Sequence, residues 1–334
     1  MIEVCARTWC RVDFAGGTLD IWPLGLLHPG AVTVNVAIDL ATEVTLRPRV
    51  SGFRLLAGDR DETVDRPELW RQESGTALVG HLATALALPP AEIEVRSESP
   101  RGGGLGASSA IAMAFIAAAE RFIGSPDSTA AFRSRLARDV EARMMALPTG
   151  LQDHLPALLG GMLVIHHEPG GERIERTEVD FEELECALVI AYSGQSHFSA
   201  GNNWKIVRRR LDGDQDTVGH FSEIARIAAA VAAAFRAGEA ERVGELMSEE
   251  WRHRSALADG ISTPKIESML AAARVAGAWG GKACGAGGGG CVAVLVPAGR
   301  RDAVVESLSA VAEVLPASPC SRPFELTSKT VETG

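Results

Sequence analysis

Four glycines and two serines crowd into eight residues of this chain: Gly102, Gly103, Gly104, Leu105, Gly106, Ala107, Ser108 and Ser109. Upstream, Ile93-Glu94-Val95 alternates like the end of a half-buried strand, and the Ala-rich run after Gly106 is helical in composition. The glycines therefore occupy a strand-to-helix turn in which the backbone, free of Cβ atoms, can touch a ligand. Ser108 and Ser109 fall in the first helical turn, where unpaired N–H groups and the helix dipole attract an anion. Capping alone accounts for one or two glycines. Four glycines with two serines point to a bound phosphate.

Two other phosphate-binding patterns fail on context. Gly102-x-Gly104-x-x-Ala107 has the glycine spacing of a dinucleotide fingerprint, but that fold needs a second strand carrying an acid about 20 residues on. Here residues 126–147 read as helix and Glu120 is in mid-helix. The P-loop pattern Gly-x-x-x-x-Gly-Lys-Ser/Thr is missing, since Gly281-Lys282 is followed by Ala283 and Ala276 stands where the first glycine should be.

Carboxylates flank the turn in sequence. Glu141 lies on the helix over 126–147, and Asp153 follows twelve residues later, after Pro148-Thr149-Gly150. Near a phosphate, two such acids suit metal binding and base catalysis. Taken alone, Glu141 reads as a solvated helix residue and Asp153 as an N-cap. Arg11 and Asp13 interrupt an apolar alternation, and Gly16-Gly17 permits a loop in which Asp20 either faces a cavity or sits in a polar turn. Gly285-Ala286-Gly287-Gly288-Gly289-Gly290 spells Gly-x-Gly-x-x-Gly, but a strand follows it; it is a glycine wall beside a ligand or a hairpin loop. His154, His166 and His167 share no metal-ligand spacing with an acid and read as structural.

The elements that must hold these residues start β-rich, with helices on one side. A short strand starts at Val4, residues 32–46 suit one or two strands with Asn35 and Asp39 near the turn, and 69–88 reads as a helix closed by Pro89-Pro90. A strand follows at 162–166, and another at 186–191 enters a second domain. Residues 193–203 form a polar segment, either a plain loop or a substrate lip. Helices cover about 204–211, 218–237, 240–256 and 264–276, and the last ten or so residues look frayed. The pattern is α+β rather than an alternating parallel sheet.

With 334 residues, 46% hydrophobic and 23% charged, the chain can bury two medium cores. A net charge of −10 gives no electrostatic footprint for nucleic acid, and Arg208-Arg209-Arg210 reads as a solvated helix face. The six cysteines form no C-x-x-C, so neither a zinc site nor a disulfide framework is indicated. No signal-peptide core or uncharged membrane-length run is present, which reads as a soluble cytoplasmic protein with no membrane partner.

Three separated blocks resemble, in order, the GHMP small-molecule kinases. Residues 100–110 are similar to the family's central phosphate motif, 11–20 to its first motif and 285–290 to its third. The resemblance is nearest to the heptose-phosphate kinase and fucose kinase branch, through the Arg-x-x-x-Ala-Gly-Gly-x-x-Asp opening, Gly150-Leu151-Gln152-Asp153 and Gly260-Ile261-Ser262-Thr263-Pro264. Ala107 replaces a usual Ser or Thr, and Gly16-Gly17-Thr18-Leu19 departs from the Gly-Gly-Gly-Thr of the heptose branch. The resemblance implies a two-domain α+β fold, with an N-terminal domain over 1–182 like a ribosomal-protein domain and a ferredoxin-like one over 183–334. It implies ATP and Mg²⁺ as cofactors and a small sugar or sugar phosphate as partner, and leaves a homodimer open. By position, the 102–109 turn would bind ATP, and Ser108 and Glu141 the metal. Asp153 would be the base and Arg11 its neighbour or a phosphate ligand. Asp20, Gly17, Gly287 and Gly288 would meet the substrate.

Overall fold

Alternating apolar residues make the first two strands long rather than short. In the computed structural model, which describes residues 2–73, 75–196 and 200–330, β1 spans Ile2–Ala15 and β2 spans Val32–Pro48. Asn35 and Asp39 lie within β2 and not at a turn, because this strand pairs with β1 and with two further strands along its length. Two register irregularities in the β1–β2 pairing, at Trp9/Cys10 and Asp13/Ala15, bracket Arg11 and Asp13. Bulges of this kind re-aim side chains.

The hairpin β3 (Phe53–Ala57) and β4 (Arg60–Val64) comes next. The expected helix over 69–88 is divided: a 3₁₀ turn at Pro67–Gln72 precedes α1 at Ala77–Ala85. Between them the Thr76 hydroxyl donates to the carbonyls of Trp70 and Glu73, which breaks the helical ladder. Then β5 (Ala91–Ser97) leads through the glycine turn into α2 (Ala107–Phe122), followed by α3 (Ala130–Met145) and α4 (His154–Leu159). The hairpin β6 (Met162–Glu168) and β7 (Gly171–Thr177) completes the N-terminal part. The first sheet runs β4-β3-β5-β2-β1, with β6 also on β2 and β7 on β6. Its small-residue helix α2 is buried from Ser109 to Glu120 except at Ile111, with Met113, Phe115 and Ile116 packed on Val4, Val44, Leu46 and Ile93.

The second half begins with α5 (Phe181–Ala187) and β8 (Leu188–Tyr192), so residue 186 is helical and not yet strand. Helices α6 (Ala200–Leu211), α7 (Gln215–Arg236), α8 (Ala240–Ala256) and α9 (Pro264–Val275) precede the antiparallel pair β9 (Gly280–Ala283) and β10 (Cys291–Leu295). After α10 (Arg301–Ser309) come β11 (Glu313–Val314) and β12 (Glu325–Thr330). The second sheet has the order β11-β8-β10-β9. Phe14, Val34 and Val36 of the first sheet meet Ile227 and Val231 of α7 and Ile190 and Ala293 of the second sheet in one core, which locks the halves together.

The C-terminal expectation is corrected. β12 pairs with β1 from Ile2↔Thr330 to Arg7↔Glu325, so these residues are not frayed but ladder-bonded into the first sheet. By length and composition α7 could cross a membrane, but half of that stretch is buried in the protein and it carries Glu223 and Arg226. The triple arginine is also partly spent on structure, since Arg209 donates to the Leu257 carbonyl and Arg210 to His28.

Candidate active site

The turn before α2 is shaped by close approach. Gly104 (φ +72) and Gly106 (φ +76) take left-handed backbone. A Cβ at Gly104 would lie 2.6 Å from the Cys284 carbonyl oxygen, so only glycine fits between the two motifs. The turn is sewn to the second glycine loop, with Cys291 N–H donating to the Gly103 carbonyl at 2.8 Å. No side chain caps α2, and its first helical bond is Ala110 N–H to Gly106 O. The N–H groups of Ala107, Ser108 and Ser109 are thus the unpaired donors at the start of a 16-residue helix. They face a cavity of about 1210 Å³ whose wall includes all eight residues from Gly102 to Ser109.

Arg11, Asp20, Glu141 and Asp153 line the same cavity. Arg11 is buried and fully engaged: Nε donates to Asp153 Oδ1 at 2.8 Å, Nη2 lies 2.6 Å from that oxygen, and Nη1 donates to the Gly104 carbonyl at 2.6 Å. Burial disfavours its charge, yet Asp153 and Asp13 outweigh it and hold its pKa above the ordinary value. Asp153 stands at the head of α4, but its side chain makes no capping bond there and is 28% exposed. Its free lone pairs are available to a hydroxyl in the cavity.

Glu141 is buried, not solvated. Ser109 donates to its Oε1 at 2.9 Å, and His154 Nε2 sits 3.1 Å from its Oε2. Burial of His154 works against its charge, but Glu141, Asp153 and Asp20 raise its pKa. Ser108 is exposed and lines the same cavity as this carboxylate. One carboxylate and one hydroxyl at the phosphate cradle form a donor set that fits Mg²⁺, which keeps waters and shares phosphate oxygens rather than demanding a protein cage. Carboxylate oxygens that each accept one bond retain lone pairs for a cation.

Asp20 receives the Gln152 N–H on Oδ2 at 3.0 Å, while its buried Oδ1 has no partner among the described residues. Burial pushes this carboxyl up to about 6. Beside it, Thr18 is buried at φ +79, a backbone region that a β-branched residue rarely adopts.

Three glycines expected at the substrate are placed elsewhere. Gly17 packs behind the wall, where a Cβ would lie 3.1 Å from Asp13 Oδ2. Gly287 and Gly288 turn toward the segment between α8 and α9: Gly288 N–H donates to the Ile261 carbonyl, and a Cβ at Gly287 would meet that oxygen at 2.4 Å. The hairpin loop between β9 and β10 reaches the cavity through Gly285 and Ala286 instead. In the polar segment, Gln195 accepts from Gly290 N–H, and residues 197–199 lie outside the described part.

Sequence reasoning set aside His154 and did not single out Gln152, Arg254 or Glu250. His154 follows Asp153 directly, but its partner Glu141 is a helix away. Arg254 of α8 is buried on the cavity wall, with Nη2 3.5 Å from the Ala286 carbonyl, yet in sequence it is one charge in the run Arg252-His253-Arg254.

The GHMP kinases N terminal domain matches residues 74–161 and the GHMP kinases C terminal domain matches 231–314. The mevalonate kinase of Methanothermobacter thermautotrophicus is 31% identical over 227 residues, covering 66% of this chain and 69% of that enzyme. Bovine galactokinase (Bos taurus) is 27% identical over 354 residues, covering 89% and 85%. The archaeal mevalonate kinases are matched over 59–69% of their length. In fold, the crystal structure of a D-glycero-D-manno-heptose 1-phosphate kinase from Bacteriodes thetaiotaomicron superposes with a TM-score of 0.76 at 19% identity, over 99% of this chain and 100% of that one. With both family domains and these relatives in agreement, the chain belongs to the GHMP kinase family.

Proposed function

We propose that this protein transfers the γ-phosphate of ATP to a hydroxyl of a sugar or sugar phosphate, with an anomeric hydroxyl of a heptose 7-phosphate-like molecule as the acceptor. One observation carries the phosphotransfer reading: an uncapped helix N-terminus behind a glycine turn shares a cavity with Asp153, a carboxylate clamped by Arg11. The acceptor reading is supported by Gly150-Leu151-Gln152-Asp153 and by the buried Asp20 Oδ1, an acceptor suited to polyol hydroxyls.

Phosphoryl transfer is catalysed mainly by positioning and charge stabilisation. The N–H groups of residues 107–109 hold phosphate oxygens. Asp153 accepts the proton of the attacking hydroxyl, and Arg11 fixes that carboxylate in the cavity wall. Ser108 and Glu141 would hold Mg²⁺, which would supply positive charge against the transferring phosphate. Asp20 orients the acceptor.

A second reading, a mevalonate-type hydroxy acid as acceptor, is favoured by the 31% identity to an archaeal mevalonate kinase. Release of ADP from Mg²⁺-ATP against free sugars, sugar phosphates and mevalonate separates the two. Turnover confined to sugars supports the first, turnover on mevalonate the second. Silence across the panel with ATP still bound contradicts both.

A further inference from the structure

A chain of alternating charges runs away from Asp153 into the other half of the molecule. Arg11 contacts Asp153; its Nη1 lies 3.7 Å from Asp13 Oδ1; Asp13 Oδ2 accepts from Lys282 Nζ at 2.7 Å; and Lys282 lies 3.1 Å from Glu250. Beyond Asp153 every member is at most 2% exposed. Asp13 and Arg11 belong to β1, Lys282 to β9 and Glu250 to α8, so the chain crosses between the two sheets. Asp13 Oδ1 also accepts the Gly285 N–H at 3.0 Å, at the point where the second glycine loop meets the cavity.

Such a buried array is weak evidence for stability, because desolvating each charge opposes the gain from pairing. Burial raises the Asp13 carboxyl, but Lys282 and Arg11 overcome it and hold the group below its ordinary value. The Lys282 ammonium is disfavoured by burial and held above its ordinary value by Asp13 and Glu250. Their electrostatics favour the charged forms, and Asp13 faces, at 3.7 Å, the guanidinium that holds Asp153.

We propose that Asp13 is a positioning residue, held by Lys282 with Glu250 behind it, that sets Arg11 against Asp153 and thereby ties the second half of the molecule to the alignment of the base. This rests on the reading of Asp153 as the base. Asp13 touches no acceptor and acts through Arg11; Lys282 and Glu250 act through Asp13.

The test is a mutant cycle read in kcat and KM. Asp13→Asn and Lys282→Met each lower kcat by about 10- to 100-fold, the scale of a small misplacement of a catalytic group, with KM for ATP within about 3-fold. Lys282→Arg, which keeps the charge, restores most of the loss. In an Asp153→Asn background the same substitutions change kcat less than about 3-fold, because the group they align is already gone. Should Lys282→Met or Asp13→Asn fail to fold, the isosteric Glu250→Gln decides: a kcat loss that vanishes in the Asp153→Asn background supports the coupling. Equal losses in both backgrounds, or wild-type kcat in Asp13→Asn, overturn it. Unchanged turnover in Asp153→Asn alone overturns the base reading and the coupling with it, whereas a loss there without one in the Asp13 and Lys282 variants overturns only the coupling.

Discussion

Ser109 donates its hydroxyl to Glu141 Oε1 at 2.9 Å, which ties the first turn of α2 to a carboxylate 32 residues away on α3. The serine exposed in the cavity is its neighbour, Ser108. One serine orients the proposed metal ligand and the other is free to join it. Ser109→Ala should therefore raise the Mg²⁺ concentration for half-maximal activity by about 10-fold, the lower end for losing a group that orients a metal ligand, with kcat at saturating Mg²⁺ little changed. Ser108→Ala should raise the requirement for Mg²⁺ and ATP together. Titration of activity against Mg²⁺ at fixed ATP measures both.

Asp20 gives the site a pH dependence of known sign. Burial pushes its pKa up to about 6, above the ordinary value near 3.9, so the folded state holds its proton longer than the unfolded chain. Its contribution to stability falls as pH rises between these values, and above about pH 6 the buried charge costs up to roughly 3 kcal/mol. Asp20→Asn should match the wild type in stability near pH 4 and exceed it at pH 7–8, by denaturant unfolding. Over the same window the wild-type KM for the acceptor should fall as pH passes about 6, when the carboxylate becomes a full acceptor, and the variant should show no such fall.

His154 has the opposite charge and a raised pKa. Its stabilising contact with Glu141 is fully present below the ordinary imidazole value near 6.5 and is lost as pH rises through the raised value. His154→Gln should cost stability at pH 6 and less at pH 9. A pH series of melting temperatures for both proteins checks the slope.

Gly104 tests the packing of one glycine motif on the other. A Cβ there would lie 2.6 Å from the Cys284 carbonyl oxygen, at a φ of +72. Gly104→Ala should destabilise the fold by about 1–3 kcal/mol and raise KM for ATP more than KM for the acceptor. Gly124, also at positive φ but with nothing within 4 Å of a Cβ, is the control. Alanine there carries the backbone cost alone and leaves ATP kinetics unchanged.

Much of the site could be read locally. The strand, glycine turn and helix over 91–122 follow one another in sequence, and composition marks each. Asp20, Glu141 and Asp153 were placed by the resemblance, and all three line the cavity. What local reasoning could not supply was partnership at a distance. Asp13 and Lys282 are 269 residues apart, and nothing in either segment names the other. Gly287 and Gly288 share a motif with Gly285, yet the hairpin's twist points only one end of that motif at the cavity. Asn35 and Asp39 imitate turn residues, but Asn35 is ladder-paired to β1 on one side and β6 on the other, while Asp39 sits at the β1–β2 register break with its N–H donated to the Ser318 carbonyl. The final strand looked frayed because its residues are largely exposed, and its order comes from backbone bonds to β1.

The most direct measurement is turnover of Asp153→Asn on the acceptor found for the wild type, with ATP affinity measured by calorimetry. A positioned carboxylate acting on a proton typically contributes about 10²- to 10⁴-fold. The account predicts a kcat loss in that range with ATP affinity within a few-fold, since the cradle at residues 102–109 is untouched. Wild-type kcat in the variant would contradict it, leaving Asp153 as a partner for Arg11 and no more.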